Sequence, residues 1–302
     1  MTVLRPSRTP NRASRPAASS RWGERGMWRT AALMLLPAVV AVAFLRLWPS
    51  LSAIIESLTP TDGHSFWYTF ERLLTDGTFQ SSLKVTLLFS LVINPLQIGL
   101  ALWLAVVLTK RVPLVGLWRT LILLPVAIPQ TVSAIVWSVA FRPDGPLNAV
   151  VTALGLPTVP FLTSPGMALV SIMVVCSWVG VGYWMTFLVA GIKDIPPSLY
   201  EAASLDGAGG WSSFRHITLP GLRRPLLFVL VADTVSNFLV FAPVQILTKG
   251  GPEGSTDLLM NQVFERAYVT GDMATASAGT VVLIAIVLAV VALQFRLLPG
   301  KD

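Results

Sequence analysis

The chain has 302 residues, of which 54% are hydrophobic and 12% charged, and its mean hydropathy is +0.69. This composition excludes an ordinary soluble domain and favours an integral membrane protein. The formal net charge of +7 does not indicate nucleic-acid binding, because much of the positive charge lies in one N-terminal segment.

The chain begins with a basic tail. Residues 1–29 contain seven arginines together with Pro and Ser, and they lack aliphatic periodicity. We therefore predict a disordered tail, retained in the cytoplasm by its positive charge. A cleaved signal peptide is not expected, because the charged region is too long and the apolar run after it continues past Arg46 without a small-residue cleavage site.

Six apolar segments follow, each long enough to cross a bilayer, which takes about 20 residues of helix. The predicted spans are Thr30–Ile55, Val85–Leu108, Leu117–Phe141, Met167–Ile192, Leu226–Leu247 and Ala274–Leu293. Prolines inside them predict kinks, at Pro37, Pro95, Pro125, Pro129 and Pro243. The expected fold is an all-α membrane protein with a six-span domain over residues 30–296 and a short tail over 297–302.

Basic residues set the predicted orientation. With the N-terminus inside, sixteen of the 22 Lys and Arg residues face the cytoplasm, so both termini are predicted to be cytoplasmic. Nine of the sixteen lie beyond the tail, namely Lys110, Arg111, Arg119, Lys193, Arg215, Arg223, Arg224, Arg296 and Lys301. The predicted outer loops carry acidic residues and two interfacial aromatic residues, namely Asp62, Glu71, Asp144, Glu253 and Asp257 with Trp67 and Tyr68.

A polar segment between the fourth and fifth spans has an unusually particular sequence. Residues 201–225 read EAASLDGAGGWSSFRHITLPGLRRP. Pro196 and the proline after it stop the fourth span, and Ser198 with Glu201 is predicted to form a capping box for a short helix. That helix is expected to break at Gly207, because glycine adopts positive φ at little cost.

A second short helix is predicted from Trp211 to about Thr218, ending before Pro220. Capping alone would account for Glu201, and a solvated connector is the simplest interpretation of that residue by itself. The whole pattern requires more, because capping does not demand two alanines after Glu201 or the Leu219–Pro220 pair.

The spacing of these residues resembles the EAA loop of permease subunits from bacterial ABC importers. The residues that carry the resemblance are Glu201, Ala202, Ala203, Gly207, Ile217, Leu219 and Pro220, with the flanks Gly191–Pro196 and Leu247–Pro252. Over about residues 30–296 the chain is similar to the A-type, MalF-like subunit of sugar or glycerol-phosphate importers. It lacks the large periplasmic insertion of the maltose system.

The resemblance implies a type I importer permease in the bacterial plasma (inner) membrane that is not itself an enzyme. Its implied partners are a second homologous permease, two copies of a cytoplasmic ATPase and an extracytoplasmic substrate-binding protein. ATP and Mg would be bound by the ATPase chains, and no cofactor by this chain, which has no Gly-x-x-x-x-Gly-Lys-Ser/Thr phosphate loop. ATP-driven closure of the ATPase pair would switch the central cavity from inward-facing to outward-facing.

In this resemblance, residues 193–224 form the coupling loop that docks on the ATPase. Glu201 would contact the ATPase, and small residues would allow close packing. The coupling residues implied are Glu201, Ala202, Ala203, Asp206, Gly207, Ala208, Arg215 and Pro220. Arg215 is equally explained as a residue that keeps the loop in the cytoplasm.

Polar residues inside the spans are candidates for the substrate path, because a buried carboxylate costs about 2.5 to 3.5 kcal/mol near the bilayer centre. Asp233 and Asn237 lie four residues apart on one helical face. The candidates are Asp233, Asn237, Gln130, Asn94, Gln97, Trp178, Tyr183 and Trp184. The aromatic candidates would act by stacking on a sugar ring. Every candidate is also explained without a substrate, by helix packing or, for the tryptophans, by contact with lipid.

An ion-coupled secondary transporter of a small polar solute is the alternative, with Asp233 as its one suitable ionisable group. The histidines, His64 and His216, lack metal-ligand spacing, so no metal site is predicted. The general resemblance favours glycerophosphodiester or glycerol-3-phosphate slightly over a disaccharide. The composition, rich in Arg, Ala and Val and poor in Lys, is typical of a GC-rich actinobacterial genome.

Overall fold

A computed structural model describes residues 21–59, 67–110 and 113–297, apart from the side chains of 21–27, and all regular elements in these ranges are helices. Several sequence-based predictions fall outside the described residues: the tail before residue 21, Asp62, His64, Arg111 and the C-terminal residues 298–302. The chain divides after Ser52 into two units.

The described part of the first unit is helical from its start. It contains α1 (Arg21–Val42), a π-helical turn (Ala43–Leu47) and the beginning of α2 (Trp48–Leu58). The helix continues through Pro37 and begins inside the segment 1–29 that the sequence predicts to be disordered.

The second unit contains the end of α2, followed by a short helix and a long span. After α3 (Tyr68–Thr75) the chain turns into α4 (Gly77–Thr109). The Asp76 carboxylate caps α4 by accepting from the backbone N–H groups of Thr78 at 2.7 Å and Phe79 at 3.4 Å. This helix is unbroken at Pro95, so the second predicted span is a single helix.

The third predicted span is not a continuous helix. It consists of α5 (Val115–Leu123), a 3-10 turn (Leu124–Ala127) and α6 (Gln130–Ala140), with a bend of 100° between the two halves. Pro125 and Pro129 both lack an N–H group, so the hydrogen-bond ladder fails at both points. Ile128 is extended, as the residue before a proline favours. The prediction of kinks understated this break.

The remaining elements form the fourth and fifth spans, the polar segment between these two spans, and the sixth and last span. They are α7 (Pro146–Ala153), α8 (Pro165–Lys193), α9 (Pro197–Leu205), α10 (Gly210–Ser213), a π-helical turn (Phe214–Thr218), α11 (Leu219–Gly221), α12 (Arg223–Phe238), α13 (Ala242–Leu247), α14 (Leu259–Phe264), a second π-helical turn (Glu265–Val269) and α15 (Met273–Leu297).

Within the described residues, five helical segments are long and apolar enough to cross a membrane, and the bent pair supplies a sixth. The five are Trp28–Leu58, Gly77–Thr109, Pro165–Lys193, Arg223–Leu247 and Met273–Leu297. The predicted all-α fold is therefore confirmed, with five spans close to their predicted places and a sixth that is broken.

The core of the second unit forms where α4 and α8 pack together. One cluster contains Phe89, Ile93 and Ile172, and a second contains Ala105 and Leu188, all of them buried. Small residues allow close helix contacts, as is usual in membranes. These two helices carry part of the polar network described below, and α12 and α15 carry the rest.

Candidate functional site

The polar segment between the fourth and fifth spans begins with α9. This helix starts at Pro197, with Pro196 at the N-cap position and no side-chain hydrogen bond to cap it. The predicted capping box of Ser198 and Glu201 is therefore wrong. A proline at the first helical position has no N–H group to be capped and its φ is already helical, so the helix starts before Ser198.

The end of α9 is closely defined by its backbone. Gly207 has φ of +75°, and its N–H group donates to the Ser204 carbonyl at 3.2 Å. The N–H group of Ala208 donates to the Ala203 carbonyl at 2.8 Å. These two bonds and the left-handed glycine form a Schellman motif. The helix thus ends at the glycine that the sequence indicated.

The second helical part of the segment is longer than predicted. It runs from Gly210 through the π-helical turn to Gly221, so the predicted end at Thr218 is wrong. Pro220 falls in the first turn of α11, where a missing N–H group costs least. The Tyr200 and Thr218 hydroxyls lie 2.9 Å apart and join this part to α9.

The predicted coupling residues mostly lie on the surface of this segment. Half-buried are Ala203 and Ala208, whereas the exposed ones are Glu201, Ala202, Asp206, Gly207, Arg215 and Pro220. The structure adds two apolar residues that the sequence prediction missed, Leu205 at 89% exposure and Trp211 at 73%. These exposed apolar groups, at the end of α9 and in α10, give the segment a surface suited to contact with another protein.

A cavity of about 670 Å³ lies between the two ends of this segment and the neighbouring spans. Its lining includes Asp194 and Pro196 before α9, Leu199 within it, and His216 and Arg224 from the returning chain. The end of α8, the start of α9 and the corner between α11 and α12 therefore enclose a concave face on the polar segment.

A second polar arrangement lies among the spans, around Asp233. This carboxylate is 1% exposed, and its Oδ1 atom accepts from Trp184 Nε1 at 2.6 Å and from Asn237 Nδ2 at 3.2 Å. Its Oδ2 atom is buried without a hydrogen-bond partner among the described residues. The carboxylate is therefore only half satisfied.

The amide groups of α4 complete the arrangement. Asn237 Nδ2 also donates to Asn94 Oδ1 at 2.7 Å and lies 3.2 Å from Gln97 Oε1. Because an amide nitrogen has two hydrogens and this one has three acceptors, one hydrogen is shared. Five of the eight predicted substrate-path residues thus belong to one network: Asp233, Asn237, Asn94, Gln97 and Trp184.

Three members of the network were missed by the sequence prediction. Thr234 Oγ1 accepts from Asn94 Nδ2 at 3.1 Å and from Gln294 Nε2 at 2.7 Å. Ser177 accepts from Gln97 Nε2 at 3.3 Å. Gln294 gave little signal in the sequence, because it lies one residue beyond the predicted end of the last span at Leu293, whereas α15 continues to Leu297.

A cavity of about 210 Å³ opens beside the network. Its wall contains Asp233, Asn237 and Gln97, together with Gln130 and Tyr183, two further predicted residues. Trp178 does not belong to this cavity. It lies in an apolar groove, where its ring contacts Trp137 at a centroid distance of 5.6 Å.

The chain has apolar spans, of which the third is broken, a buried polar network beside a cavity, and an exposed polar segment. This combination is typical of a polytopic membrane transport protein. The chain belongs to the family described as binding-protein-dependent transport system inner membrane component, whose model matches residues 97–301. It is thus an inner-membrane permease component of an ABC transport system, a class of subunit that is not an enzyme.

Curated relatives agree with this family. The sn-glycerol-3-phosphate transport system permease protein UgpA of Agrobacterium fabrum is 32% identical, over 87% of this chain and 92% of the relative. The lactose transport system permease protein LacF of Rhizobium radiobacter is 31% identical, over 87% of this chain and 91% of the relative. The resemblance stated from the EAA-like residues is therefore confirmed.

Solved structures share the fold. A chain of the bacterial alginate ABC transporter, in complex with an alginate pentasaccharide-bound periplasmic protein, superposes with a TM-score of 0.82 at 21% identity. The match covers 91% of this chain and 96% of that chain. The expected type I importer permease fold is confirmed, and the family implies partner permease, ATPase and substrate-binding subunits.

Proposed function

We propose that this chain is the A-type permease subunit of an importer that moves a sugar or a glycerol-phosphate-type solute into the cytoplasm by alternating access. Relatives that bear the names of glycerol-3-phosphate and lactose permeases support this solute class. The glycerol-3-phosphate names recur among several relatives, which favours glycerol-3-phosphate or a glycerophosphodiester over a disaccharide.

The polar segment is the proposed contact with the ATPase. The observation that carries the proposal is the geometry of α9, a short helix fixed at its end by a Schellman motif and exposing Glu201 and Ala202. A rigid helix transmits a displacement better than a mobile loop does. Closure of two ATPase subunits would therefore move α9 and, through its Tyr200–Thr218 contact, the start of the fifth span.

The assembly we propose contains a second homologous permease, two ATPase chains that bind ATP and Mg, and an extracytoplasmic binding protein. The distribution of Lys and Arg supports cytoplasmic termini and a cytoplasmic coupling segment. The cavity beside Asp233 is the proposed part of the substrate path within this subunit. Membership of the family disfavours the ion-coupled secondary transporter.

The test is the ATPase activity of the complex purified with its partners, comparing the native chain with Glu201→Ala. We expect the native activity to rise with solute-loaded binding protein. We expect stimulation to fall about tenfold or more in Glu201→Ala, because the proposed ATPase contact would bury the exposed Glu201 carboxylate and its removal would leave the ATPase group unpaired.

Ser198→Ala is the matched control, because Ser198 is exposed in the first turn of the same helix and caps nothing. It should retain native stimulation. Absence of an ATPase from the purified complex would contradict the proposed function. Normal stimulation in Glu201→Ala would contradict only the role of Glu201.

A further inference from the structure

The cavity between the two ends of the polar segment lies where two spans end. Lys193 is the last residue of α8, and Arg223 is the first residue of α12. The residues that follow them, Asp194 and Arg224, both line the cavity. Because α8 and the helices from Arg223 onwards are long and apolar enough to cross a membrane, their polar ends lie among the phospholipid headgroups. The cavity, of about 670 Å³, therefore opens at the depth of the headgroups.

Two glycines hold the apolar part of this cavity together. A Cβ atom added to Gly191 would lie 2.6 Å from Pro225 Cγ, and one added to Gly221 would lie 2.7 Å from Ile195 Cδ1. All four residues line the cavity. These close approaches fix the end of α8 against the start of α12 and against α11. The cavity is therefore a product of tight packing, and it offers an apolar surface to the hydrocarbon part of a ligand.

The polar part of the cavity is mainly basic. Arg224 and His216 line it and are exposed, and Asp194 is the one acidic group among the described residues of the lining. Lys193 and Arg223 stand next to lining residues in the sequence and are also exposed. With the histidine counted as neutral, these side chains carry three positive charges and one negative charge. The surroundings of the cavity therefore favour an anionic ligand.

We propose that this cavity binds the headgroup of an anionic phospholipid, with Arg224 bound to the phosphodiester and the apolar lining in contact with the glycerol backbone. A guanidinium group forms two parallel hydrogen bonds with a phosphate, and basic clusters beside a span attract anionic lipids. Asp194 is an acceptor for the headgroup hydroxyls of phosphatidylglycerol. The inference goes beyond the proposed function, because lipid binding requires neither the ATPase nor the solute.

A lipid in this cavity contacts both ends of the polar segment. On one side it meets Asp194, three residues before α9 begins at Pro197, and on the other side it meets Arg224 in the first turn of α12. A ligand that binds only the folded state raises its stability. We therefore expect added phosphatidylglycerol to raise the melting temperature of the delipidated complex, and to do so less in Arg224→Ala.

The test is the binding of dioleoylphosphatidylglycerol to the delipidated complex in detergent, titrated and measured by native mass spectrometry. Arg224→Ala should weaken the binding of the first lipid about twentyfold or more, because two charge-assisted hydrogen bonds are lost. Arg223→Ala is the matched control, because Arg223 is the adjacent exposed arginine and does not line the cavity. General attraction to charged lipid contributes about fivefold per basic residue, so Arg223→Ala should weaken binding about fivefold or less.

Arg224→Lys separates the contact with the phosphate from the assembly of the complex. Lysine keeps the positive charge but lacks the planar pair of donors, so the affinity should fall between those of the native complex and Arg224→Ala. Without lipid, its melting temperature should equal the native value. If Arg224→Ala does not assemble, Arg224→Lys is compared with Arg223→Lys, and only Arg224→Lys should weaken binding about threefold or more.

Four outcomes overturn the inference. Equal losses in Arg223→Ala and Arg224→Ala would show general attraction to charge without a site. Equal or tighter binding of dioleoylphosphatidylcholine or dioleoylphosphatidylethanolamine would show that the anionic headgroup is not recognised. Displacement of the lipid by inorganic phosphate would assign the cavity to a soluble anion, and absence of bound phosphatidylglycerol from the native complex would remove the site. Each of these results leaves the proposed function intact, because none of them measures ATPase stimulation or uptake.

Discussion

Gly182 lies where α8 approaches the backbone of α5. A Cβ atom added to Gly182 would lie 2.3 Å from the Ile122 carbonyl oxygen, which is too close for any real Cβ contact. The contact joins the fourth span to the first half of the broken third span. Both residues line the apolar groove that contains Trp178, so the contact fixes the distance between two walls of that groove.

Replacement of Gly182 by alanine should destabilise the protein by about 1–3 kcal/mol, because overpacking forces the helices apart. The measurement is the melting temperature of the detergent-solubilised complex. Gly166→Ala is the control in the same helix, because a Cβ atom there meets nothing within 4 Å. Equal melting temperatures for Gly182→Ala and the native protein would show that α5 moves away at no cost.

The sequence predicted which residues of the polar network share a helical face, because spacings of three or four residues determine this. Asn237 lies four residues after Asp233, and Gln97 three after Asn94, so each pair shares a face. Trp178 and Trp184 are six residues apart and point to different sides of α8, which separates the apolar groove from the network. Which face would turn inwards depends on tertiary packing, and a single apolar span shows this poorly in its sequence.

At the scale of the element, α9 depends on its C-terminal cap. The Schellman motif needs the left-handed conformation at Gly207, and the space around that residue is open. Glycine is therefore required there for its backbone conformation. Close packing within this chain does not account for it.

Gly207→Ala should cost about 1–2 kcal/mol locally, because a Cβ atom is strained at positive φ. We expect the end of α9 to fray and the stimulation of ATPase activity by loaded binding protein to fall. Hydrogen exchange of the α9 amides reports the fraying directly. The matched control is Gly210→Ala, which lies in a helix with open space around it and should be neutral or slightly stabilising. Identical exchange in the two variants would contradict this account.

Element boundaries in the third span and the polar segment show where sequence reasoning fails. Pro125 and Pro129 predicted kinks, but the size of the bend depends on the helices that pack around the break. The alternation between α-helix and π-helical turn before Pro220 has no simple sequence signal. The existence of the spans was predictable because long apolar runs have few alternatives in lipid.

For the whole molecule, ion pairs join segments far apart in the chain. Arg266 pairs with Asp76, 190 residues away, and Arg72 lies 3.4 Å from Asp272. They tie the corner between α3 and α4 to the segment before α15. The hydrogen bond from Arg266 is the main cause that holds the pKa of Asp76 below its usual value of 3.8.

This lowered pKa makes part of the stability dependent on pH. Because the folded pKa is below the unfolded value, the contribution is complete above about pH 5 and is lost as pH falls through the unfolded and then the folded pKa. Asp76→Asn keeps an N-cap acceptor for α4 but removes the charge. Between about pH 5 and pH 3, the melting temperature of the native complex should therefore fall more than that of the complex with Asp76→Asn. Parallel melting curves for the two proteins would exclude this contribution.

The hydrogen bond from Gln294 to Thr234 also has a consequence for biogenesis. Spans enter the membrane in the order of synthesis, so Asn94 and Thr234 are inserted before the helix that carries Gln294. Until α15 is inserted, the Thr234 hydroxyl oxygen lacks the hydrogen bond from Gln294 and accepts only from Asn94. The polar network of the subunit is therefore complete only when the last helix has been inserted.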